Sequence, residues 1–554
     1  MGAALRIPAA PRRLLGSPPF AAAVLGFALF LPSLGGGFLY DDAHVVVGNR
    51  AIRDLSRLGT VLSYEPARPL LNLSWAFSYA AGGLDPWHWH LVNVALHAAD
   101  AALVASLFLW MAGRRGLTEA RRAAMIGAAL FAVTPMACET VAYVSSRSTA
   151  LASLFSLAAI RVALPGLESG SRRRLAAAVG LLLLGLATKE EAAAVPLLLL
   201  LLDWIVLSGG SFASLRSRLA RHAPFLAVLA LGFAGRRAVT GQWLPAPVMD
   251  RARYVFTQLA ELPGYVLRAA VPVDPALYRG MPPSPWPPGA PHLIWAFAGV
   301  VLLATAVALR RRQPLFALAV LWMAVALLPS SSLVPLQEMV VDHRAYLGGA
   351  GVAFALGSLL AAPRWRAAAA VLLIALCART LHYQWVLADP VRAWSDATGR
   401  APHAVQAWLA LADAHAAAGE GGEAGVAFRR ALSLDPGNFR ASTNLGAWLA
   451  EQGRYPEAVE HFRTAARVAP DDARVRDNLG MLLLALGREQ EALAEFEAAV
   501  AGRPVLAQPR INLAALLLRF GARERATALL DEAAALEIDA RDAAAIESIR
   551  EALR

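Results

Sequence analysis

Long apolar runs alternate with short arginine-bearing segments over the first two-thirds of the chain. Many of these runs approach the roughly 20 residues that a membrane-spanning helix needs. The runs lie at 20–38, 91–112, 123–137, 148–165, 175–188, 192–208, 223–240, 291–309, 314–332, 346–362 and 366–382. The pattern predicts an all-α, polytopic membrane domain that crosses a bilayer about eleven times.

Arginines cluster in alternate loops between the predicted spans, as the positive-inside rule requires of cytoplasmic loops. The arginines that this orientation places inside are Arg6, Arg12, Arg13, Arg114, Arg115, Arg121, Arg122, Arg172, Arg173, Arg174, Arg216, Arg218, Arg221, Arg310, Arg311, Arg312, Arg364 and Arg366. With the N-terminus inside, an odd number of spans leaves the C-terminus outside.

Two features leave alternatives for this topology. The weaker stretch 254–271 must not cross if the arginines at 310–312 are to lie inside, so we interpret it as re-entrant or interfacial. Arg12 and Arg13 precede an apolar run, which also fits a cleaved signal peptide. The many spans that follow favour a retained first helix.

From about Ala404 onward, amphipathic helical patterns replace the long apolar runs, and four landmarks recur every 34 residues. The four series are Leu411, Leu445, Leu479 and Leu513; Gly419, Gly453, Gly487 and Gly521; Ala424, Ala458, Ala492 and Ala526; and Ala431, Ala465, Ala499 and Ala533. A further position holds Phe428, Phe462 and Phe496, with Leu530 in the last unit, and the first three units close with Pro436, Pro470 and Pro504. This is the tetratricopeptide pattern, in which alanines let paired helices approach and glycine permits the turn.

The sequence therefore predicts a tetratricopeptide-repeat α-solenoid of about four repeats over residues 404–554. A solenoid of this kind presents a concave face that suits an extended peptide or a partner protein. A spacer or dimerisation element is the alternative interpretation. We predict a membrane domain over 1–385 and a linker over 386–403.

Composition supports a membrane protein: 57% of the 554 residues are hydrophobic and 17% are charged, and the mean hydropathy is +0.48. The net charge of +11 lies in loop arginines rather than in a nucleic-acid-binding motif. Cys138 and Cys377 sit in or beside apolar runs, so neither a disulfide framework nor a zinc site is predicted. Frequent Ala, Arg, Gly and Pro indicate a GC-rich bacterial source.

Two adjacent carboxylates, Asp41 and Asp42, begin the first predicted outer loop where the first helix leaves the bilayer. Neighbouring acids raise one another's pKa, and an acid at a partly desolvated boundary is suited to be a general base for a hydroxyl nucleophile. A solvated loop start or a helix cap is the alternative. The pair could also recruit a divalent metal, although the sequence does not require one.

The second predicted span carries His90, Asn93, His97 and Asp100 on one helical face. Ionisable groups inside a membrane are candidates for function, and interhelical hydrogen bonding is the alternative. A metal shared by His90 and His97 is not expected, since about 10 Å of helix separates them.

Other polar residues gather at the predicted outer ends of the spans: Glu139, Arg147, Lys189, Glu190, Glu191, Arg236, Arg237, Asp342, His343 and Arg344. Cations at such a boundary could hold a lipid phosphate and stabilise charge on a phosphate leaving group. Ordinary interfacial ion pairing is the alternative for these residues.

Several sequence motifs resemble those of one family and follow the same order along the chain. They are Arg68-Pro69-Leu70, Gly83-Leu84-Asp85-Pro86-Trp87-His88-Trp89-His90-Leu91-Val92-Asn93, Leu96-His97, 131–147, Thr188-Lys189-Glu190 with Asp203, and Asp342-His343-Arg344-Ala345-Tyr346-Leu347. Together with the repeats, they resemble the transmembrane and tetratricopeptide-repeat O-mannosyltransferases over nearly the whole chain. Departures are Thr-Pro-Met after residue 133, where the family typically has His-Pro, and Asp-His-Arg in place of Glu-Arg.

The resemblance implies the GT-C architecture, in which a polytopic domain takes a sugar from a polyprenyl-phosphate carrier and passes it to a protein hydroxyl outside the cytoplasm. It also implies Asp42, or failing it Asp41, as the catalytic base. Basic contacts to the carrier phosphate would be Arg344, with Lys189 and Arg147. The resemblance also implies Glu139 as a contact to the acceptor or the sugar. We further predict Glu190, His90, Asn93 and His97 as substrate-binding residues.

The resulting hypothesis is a glycosyltransferase of a bacterial inner membrane that moves a sugar, mannose by the resemblance, to Ser or Thr hydroxyls of exported proteins. The repeats would bind the acceptor or a partner on the periplasmic side. The lipid-linked sugar is the donor, and no other cofactor is expected. The alternatives are a GT-C transferase acting on a lipid-linked or cell-wall glycan and an inactive membrane-anchored repeat scaffold.

Overall fold

The computed structural model describes residues 17–242, 249–272, 274–282, 284–333, 336, 338–502, 506–536 and 540–553. Over these residues the chain is helical and contains no strand. It divides into two compact units, Met1–Arg400 and Ala401–Arg554. Arg6, Arg12, Arg13 and Pro504, which entered the sequence argument, lie outside the described residues.

The first unit, here called the membrane unit, is built of helices joined by short turns. Its α-helices are α1 (Pro18–Phe30), α2 (Leu58–Tyr64), α3 (Pro69–Gly82), α4 (Pro86–Arg114), α5 (Ala120–Ala132), α6 (Ala137–Ala142), α7 (Arg147–Ser169), α8 (Arg172–Leu186), α9 (Val195–Leu202), α10 (Phe212–Arg216), α11 (Leu219–Thr240), α12 (Arg251–Ala270), α13 (Ala290–Leu309), α14 (Pro314–Leu328), α15 (Tyr346–Leu360), α16 (Arg366–Leu387) and α17 (Pro390–Arg400).

Six helical segments among the described residues are long and apolar enough to cross a bilayer. They are Pro18–Gly35, Pro86–Arg114, Val144–Ser169, Ala290–Leu309, Pro314–Ser331 and Pro363–Leu387. The chain is a multi-pass membrane protein.

The predicted count of about eleven spans is not confirmed. At 1.5 Å per residue, the 13 residues of α5 rise about 20 Å and the 15 residues of α8 about 23 Å. Both fall short of the roughly 30 Å hydrocarbon core. The predicted sidedness stays a prediction.

Helix starts in the membrane unit follow from proline, whose fixed φ and missing N–H suit the first helical turn. Pro86 begins α4 and Pro314 begins α14. At the other end, α7 stops at Gly170, whose φ of +73° is in the left-handed region that favours glycine. These signals define the long helices that carry the polar residues described below.

Glycines bring α5 and α15 into close contact in the core of the membrane unit. A Cβ added at Gly357 of α15 would overlap the backbone of Gly127 in α5. On α15, a Cβ at Gly351 would also lie 2.6 Å from Trp322 Cβ of α14. Small residues of this kind let membrane helices approach closely. The contact fixes α15, whose first turn directly follows His343 and Arg344.

Two predicted connecting segments are helical. The stretch 254–271, predicted as re-entrant or interfacial, lies in α12 except for its last residue, and this helix of 20 residues is not one of the six span candidates. Its predicted placement at the interface stays a prediction. The predicted linker 386–403 contains α17, which the structure groups with the membrane unit.

The second unit, the repeat unit, contains helices paired at the predicted spacing. They are α18 (Val405–Ala417), α19 (Gly421–Leu434), α20 (Phe439–Glu451), α21 (Tyr455–Val468), α22 (Ala473–Ala485), α23 (Glu489–Gly502), α24 (Ala507–Arg519), α25 (Arg523–Ala534) and α26 (Ala540–Leu553).

The landmarks occupy the positions that their chemistry predicts. Gly419, Gly453, Gly487 and Gly521 all have φ between 73° and 78° at the turns between paired helices. Alanines of the two alanine series, such as Ala458, are fully buried between the helices. The predicted repeat solenoid is therefore confirmed.

Candidate functional site

Polar side chains from separate parts of the membrane unit meet around one cavity of about 310 Å³. The walls come from the loop after α1, the turn before α7, the turn before α9 and the segment between α14 and α15. The polar and charged lining residues are Asp41, Glu65, Arg68, Tyr143, Ser145, Ser146, Ser148, Lys189, Glu190, Glu191, Ser330, Glu338, His343 and Arg344. We call this the polar cavity.

The two neighbouring aspartates play different structural parts. Asp41 is exposed and lines the polar cavity, and its backbone N–H donates to the Tyr143 hydroxyl at 3.1 Å. Tyr40 just before it has a φ of +43°, which is rare for a residue with a side chain. The carboxylate of Asp41 is therefore the one that faces the open space.

Asp42 is fully buried and holds the loop against the turn before α7. Its carboxylate accepts hydrogen bonds from the backbone N–H groups of Leu39 at 3.0 Å, Val144 at 3.3 Å and Ser145 at 2.7 Å. The Ser145 hydroxyl donates to it as well. Burial raises the pKa of Asp42 to about 6, against the opposing effect of these hydrogen bonds.

Arg147, predicted to contact the carrier phosphate, is fully buried and does not line the polar cavity. Its guanidinium donates to Asn93 Oδ1 at 2.9 Å, Ser78 Oγ at 2.8 Å and the Trp89 carbonyl at 3.0 Å. Asn93 in turn donates to the carbonyls of Val141 and Tyr143, each at 3.3 Å. Arg147 and Asn93 together stabilise the turn that carries Tyr143 and Ser145.

The two histidines predicted as substrate contacts, His90 and His97, are also fully buried and away from the cavity lining. His97 lies 2.7 Å from the Tyr346 hydroxyl through Nδ1 and 3.0 Å from the Ala132 carbonyl through Nε2. The Tyr346 hydroxyl also donates to Asp100 at 3.1 Å. This network ties α4 to the start of α15, as the interhelical alternative proposed.

Lys189 and Glu190 both line the polar cavity and are both paired. Lys189 Nζ lies 2.8 Å from Glu191 Oε1 and donates to Thr149 Oγ1 at 2.7 Å. Arg68 forms ion pairs with Glu190 at 3.2 Å and with Glu65 at 3.5 Å. These contacts hold five of the cavity's charged groups in fixed places: Glu65, Arg68, Lys189, Glu190 and Glu191.

Glu139 and His343 form a contact at the edge of the polar cavity. His343 Nδ1 lies 2.5 Å from Glu139 Oε1, and the His343 backbone N–H donates to the other oxygen at 3.1 Å. Burial raises the pKa of Glu139 to about 8, with the Asp342 charge adding to the effect. Glu139 therefore positions the turn that presents His343 and Arg344.

Arg344 brings a cation to the cavity wall and forms no ion pair within the described ranges, while the carboxylates of Glu139 and Glu338 interact with it electrostatically. Its guanidinium donates to the Met339 carbonyl at 3.5 Å and interacts with the Tyr254 side chain. The preceding Asp342 accepts from Arg279 at 3.0 and 2.8 Å. Both carboxylate oxygens of Asp342 are thus bound by Arg279 and do not pair with Arg344. The charge of Arg344 therefore remains available to an anion.

The cavity combines the exposed carboxylate of Asp41, the guanidinium of Arg344, which forms no ion pair among the described residues, and the paired ammonium of Lys189. A carboxylate can take a proton from a hydroxyl, and cations can stabilise negative charge on a phosphate oxygen. Across the part of the chain that the structure describes, no group of three or more His, Cys, Asp or Glu side chains is placed to hold a metal ion. The expectation about metal dependence stays a prediction.

Sequence reasoning did not assign functions to several cavity residues. Glu65 and Glu338 lie in loops with no distinctive motif, and Ser145 precedes the quoted Arg147 by two residues. Arg68 stood in a quoted motif without a role. The charge of Arg68 beside the apolar start of α3 was the available signal.

The chain matches several protein O-mannosyl-transferases over part of its length. The chain is 34% identical over 149 residues to protein O-mannosyl-transferase tmtc2 of Xenopus laevis, covering 24% of this chain and 17% of the frog protein. It is 34% identical over 165 residues to human TMTC4, covering 25% and 22% of the two chains. The predicted resemblance is confirmed over this part of the chain.

The match to these O-mannosyltransferases is partial, since the chain matches under a quarter of the length of either relative. Drosophila melanogaster Tmtc1 is 36% identical over 137 residues, covering 22% of this chain and 15% of that protein. The repeat unit matches tetratricopeptide-repeat family models over residues 405–448 and 438–504. PilF of Pseudomonas aeruginosa covers 31% of this chain and 77% of its own at 25% identity and a TM-score of 0.27.

Proposed function

We propose that the membrane unit is a glycosyltransferase that moves a sugar from a polyprenyl-phosphate carrier to Ser or Thr hydroxyls of exported proteins. The names of the partially matched relatives support mannose as the sugar and protein as the acceptor. The observation that carries the proposal is the polar cavity, which joins Asp41, Lys189 and Arg344.

In the proposed reaction, the acceptor oxygen attacks the anomeric carbon and displaces the carrier phosphate. The new bond joins that oxygen to the sugar, the bond between the sugar and the phosphate oxygen breaks, and the lipid phosphate leaves with its added negative charge. The hydroxyl proton passes to the base. Asp41 is the proposed base, because its carboxylate faces the cavity.

Asp42 is proposed to position Asp41 rather than to take the proton. Its carboxylate oxygens already accept four hydrogen bonds from Leu39, Val144 and Ser145. These bonds fix the loop that presents the neighbouring carboxylate to the cavity. This assignment favours Asp41, the second of the two bases that the resemblance implies.

Arg344 is the proposed partner of the carrier phosphate, with Lys189 second. Arg344 forms no ion pair among the described residues, so a phosphate would satisfy its charge. Lys189 already pairs with Glu191 at 2.8 Å and shares its charge with that group. Two cations near the leaving oxygen would stabilise the charge that develops there.

The repeat unit is proposed to bind the acceptor or a partner protein on the periplasmic face of a bacterial inner membrane. Tetratricopeptide repeats present a concave surface to peptides and proteins, which supports this assignment. The arginine-rich alternate loops predict the sidedness on which this periplasmic placement depends.

Transfer of radiolabelled mannose tests the proposal. Purified full-length protein in vesicles would receive polyprenyl-phosphate mannose and an exported acceptor protein, and Asp41→Asn would be compared with wild type. We expect the loss of a general base to lower the rate about 10²-fold or more. Asp54→Asn is the matched control, since Asp54 is exposed and does not line the cavity. An asparagine there can still accept the hydrogen bond from the Ser56 backbone N–H.

Equal transfer by Asp41→Asn and wild type would exclude Asp41 as the base. No transfer to protein by the wild type, with transfer to a lipid-linked glycan instead, would identify the alternative GT-C activity.

A further inference from the structure

A second groove lies at the opposite end of the membrane unit from the polar cavity. It has a volume of about 430 Å³ and is lined by Trp110, Arg161, Val162, Pro165 and Arg174. Arg161 lies thirteen residues after the cavity-lining Ser148 on α7, which is about 20 Å along the helix axis. We call it the arginine groove, and none of its residues enters the proposed transfer reaction.

Arg161 is a charged residue inside one of the six span candidates, Val144–Ser169. Its Nε donates to Ser106 Oγ at 3.0 Å, and no ion pair joins it to a carboxylate of the described chain. A charged side chain inside a bilayer is costly unless it reaches the interface or meets a partner. The uncompensated charge of Arg161 therefore requires an anion or contact with the headgroup region.

Arg174 adds a second positive charge to the groove and so increases the need for an anion there. It is exposed at the start of α8, lines the same groove and acts electrostatically on Arg161 as a like charge. Glu168, in the last turn of α7, is already paired with Arg114. The groove thus places two guanidinium groups together, and no carboxylate described in the structure balances either one.

The rest of the groove is apolar, which restricts the anion that fits. Val162 and Pro165 belong to a span candidate, and the half-buried Trp110 ring closes the groove beneath Arg114, 6.0 Å from its guanidinium carbon. A ligand there must carry negative charge at one end and hydrocarbon at the other. Basic pockets between membrane helices on the cytoplasmic side bind anionic lipid headgroups in this way.

We propose that the arginine groove binds the phosphodiester headgroup of an anionic glycerophospholipid, with Arg161 and Arg174 on the phosphate. Guanidinium groups form paired hydrogen bonds with phosphate oxygens, which suits this ligand better than a lone ammonium would. The positive-inside prediction places the groove in the cytoplasmic leaflet. The lipid is a bound partner of the fold and takes no part in sugar transfer.

Native mass spectrometry of the purified full chain tests this site. The protein would be titrated with phosphatidylglycerol, phosphatidylcholine, polyprenyl phosphate and inorganic phosphate. We expect retention of phosphatidylglycerol over phosphatidylcholine and about tenfold weaker retention in Arg161→Gln and in Arg174→Gln, because each loses charge-assisted hydrogen bonds. Arg173→Gln removes the same charge from the same helix end outside the groove lining and should retain the lipid as wild type does.

Arg174→Gln should fold as wild type does, because Arg174 is exposed and its side chain forms no hydrogen bond within the described chain. A loss of lipid in this variant would therefore not result from misfolding. Equal retention by wild type and Arg174→Gln would overturn the proposal. Displacement of phosphatidylglycerol by an equal amount of polyprenyl phosphate would assign the groove to the carrier instead. Displacement by inorganic phosphate at that concentration would show that the arginine groove binds free anions rather than a lipid headgroup.

Discussion

Asp41 and Asp42 show how neighbouring residues of one type acquire different chemistry. Asp41 is exposed to the polar cavity, whereas Asp42 is buried with four hydrogen-bond donors around its carboxylate. Burial disfavours the charged form of Asp42, and the donors only partly compensate. The sequence placed both residues at the helix exit, but it could not show which one faces the cavity.

The raised pKa of Asp42 predicts a pH dependence of stability. Between its ordinary value of 3.8 and about 6, the folded protein holds a proton that the unfolded chain has released. The stability that Asp42 contributes is therefore full below that range and falls as the pH rises through it. The melting temperature of wild type relative to Asp42→Asn, measured in detergent, should fall from pH 4 to pH 6.5. A difference that is constant with pH would contradict the raised pKa.

Arg147 and Arg344 predict a contrast between a structural and a substrate-binding arginine. Arg147→Lys cannot satisfy Asn93, Ser78 and the Trp89 carbonyl at once, so we expect a loss of about 3 kcal/mol in the free energy of unfolding. Arg344→Lys loses only a long hydrogen bond to Met339 and the Tyr254 contact, so it should melt near wild type but raise the KM for the lipid donor. A matching loss of stability in both variants would contradict the contrast.

At the scale of helices, the hydrophobic pattern predicted which helices exist better than it predicted how long each helix is. The apolar run 123–137 became α5, which ends at Ala132, and 346–362 became α15, which ends at Leu360. Their alanines and glycines make both runs apolar, and the same small residues let the two helices pack against each other. Short buried helices and membrane spans share this composition, so the pattern could not separate them.

The glycine contact between α5 and α15 predicts a steric effect. Gly357→Val would place a side chain against the Gly127 backbone, which cannot move aside as a flexible side chain can. We expect a loss of about 3 kcal/mol or more, seen as a lower melting temperature and aggregation on size exclusion. Gly349→Ala is the control, because a Cβ there meets no atom within 4 Å. Wild-type behaviour of Gly357→Val would show that the helices are not held at this distance.

At the scale of the whole molecule, the two units follow from two different sequence signals. The 34-residue register predicted the repeat unit in detail, since every repeat demands the same glycine and alanine positions. The polar cavity was predicted only in part. Lys189, Glu190 and Arg344 line it, whereas Arg147, His90 and His97 are buried away from it. Sequence alone cannot distinguish buried polar residues that hold helices together from residues of a site.

The division into two units predicts separable functions. A chain ending at Arg400 keeps the whole polar cavity, so it should still transfer mannose to a small hydroxyl acceptor such as a short Ser-containing peptide. It should lose most transfer to a folded exported protein, because the proposed binding surface is gone. Equal transfer to both acceptors by the truncated and full chains would favour the interpretation of the repeats as a spacer.

Photo-crosslinking of the lipid donor tests the central claim, that the polar cavity is the transfer site, most directly. Polyprenyl-phosphate mannose with a photoreactive group near the phosphate would be bound to the full chain, and the adducts would be located by mass spectrometry. We expect adducts near Lys189 and at Ser330, Glu338, His343 or Arg344, and fewer adducts in Arg344→Gln. Adducts confined to Arg161 and Arg174, or unchanged in Arg344→Gln, would contradict this claim.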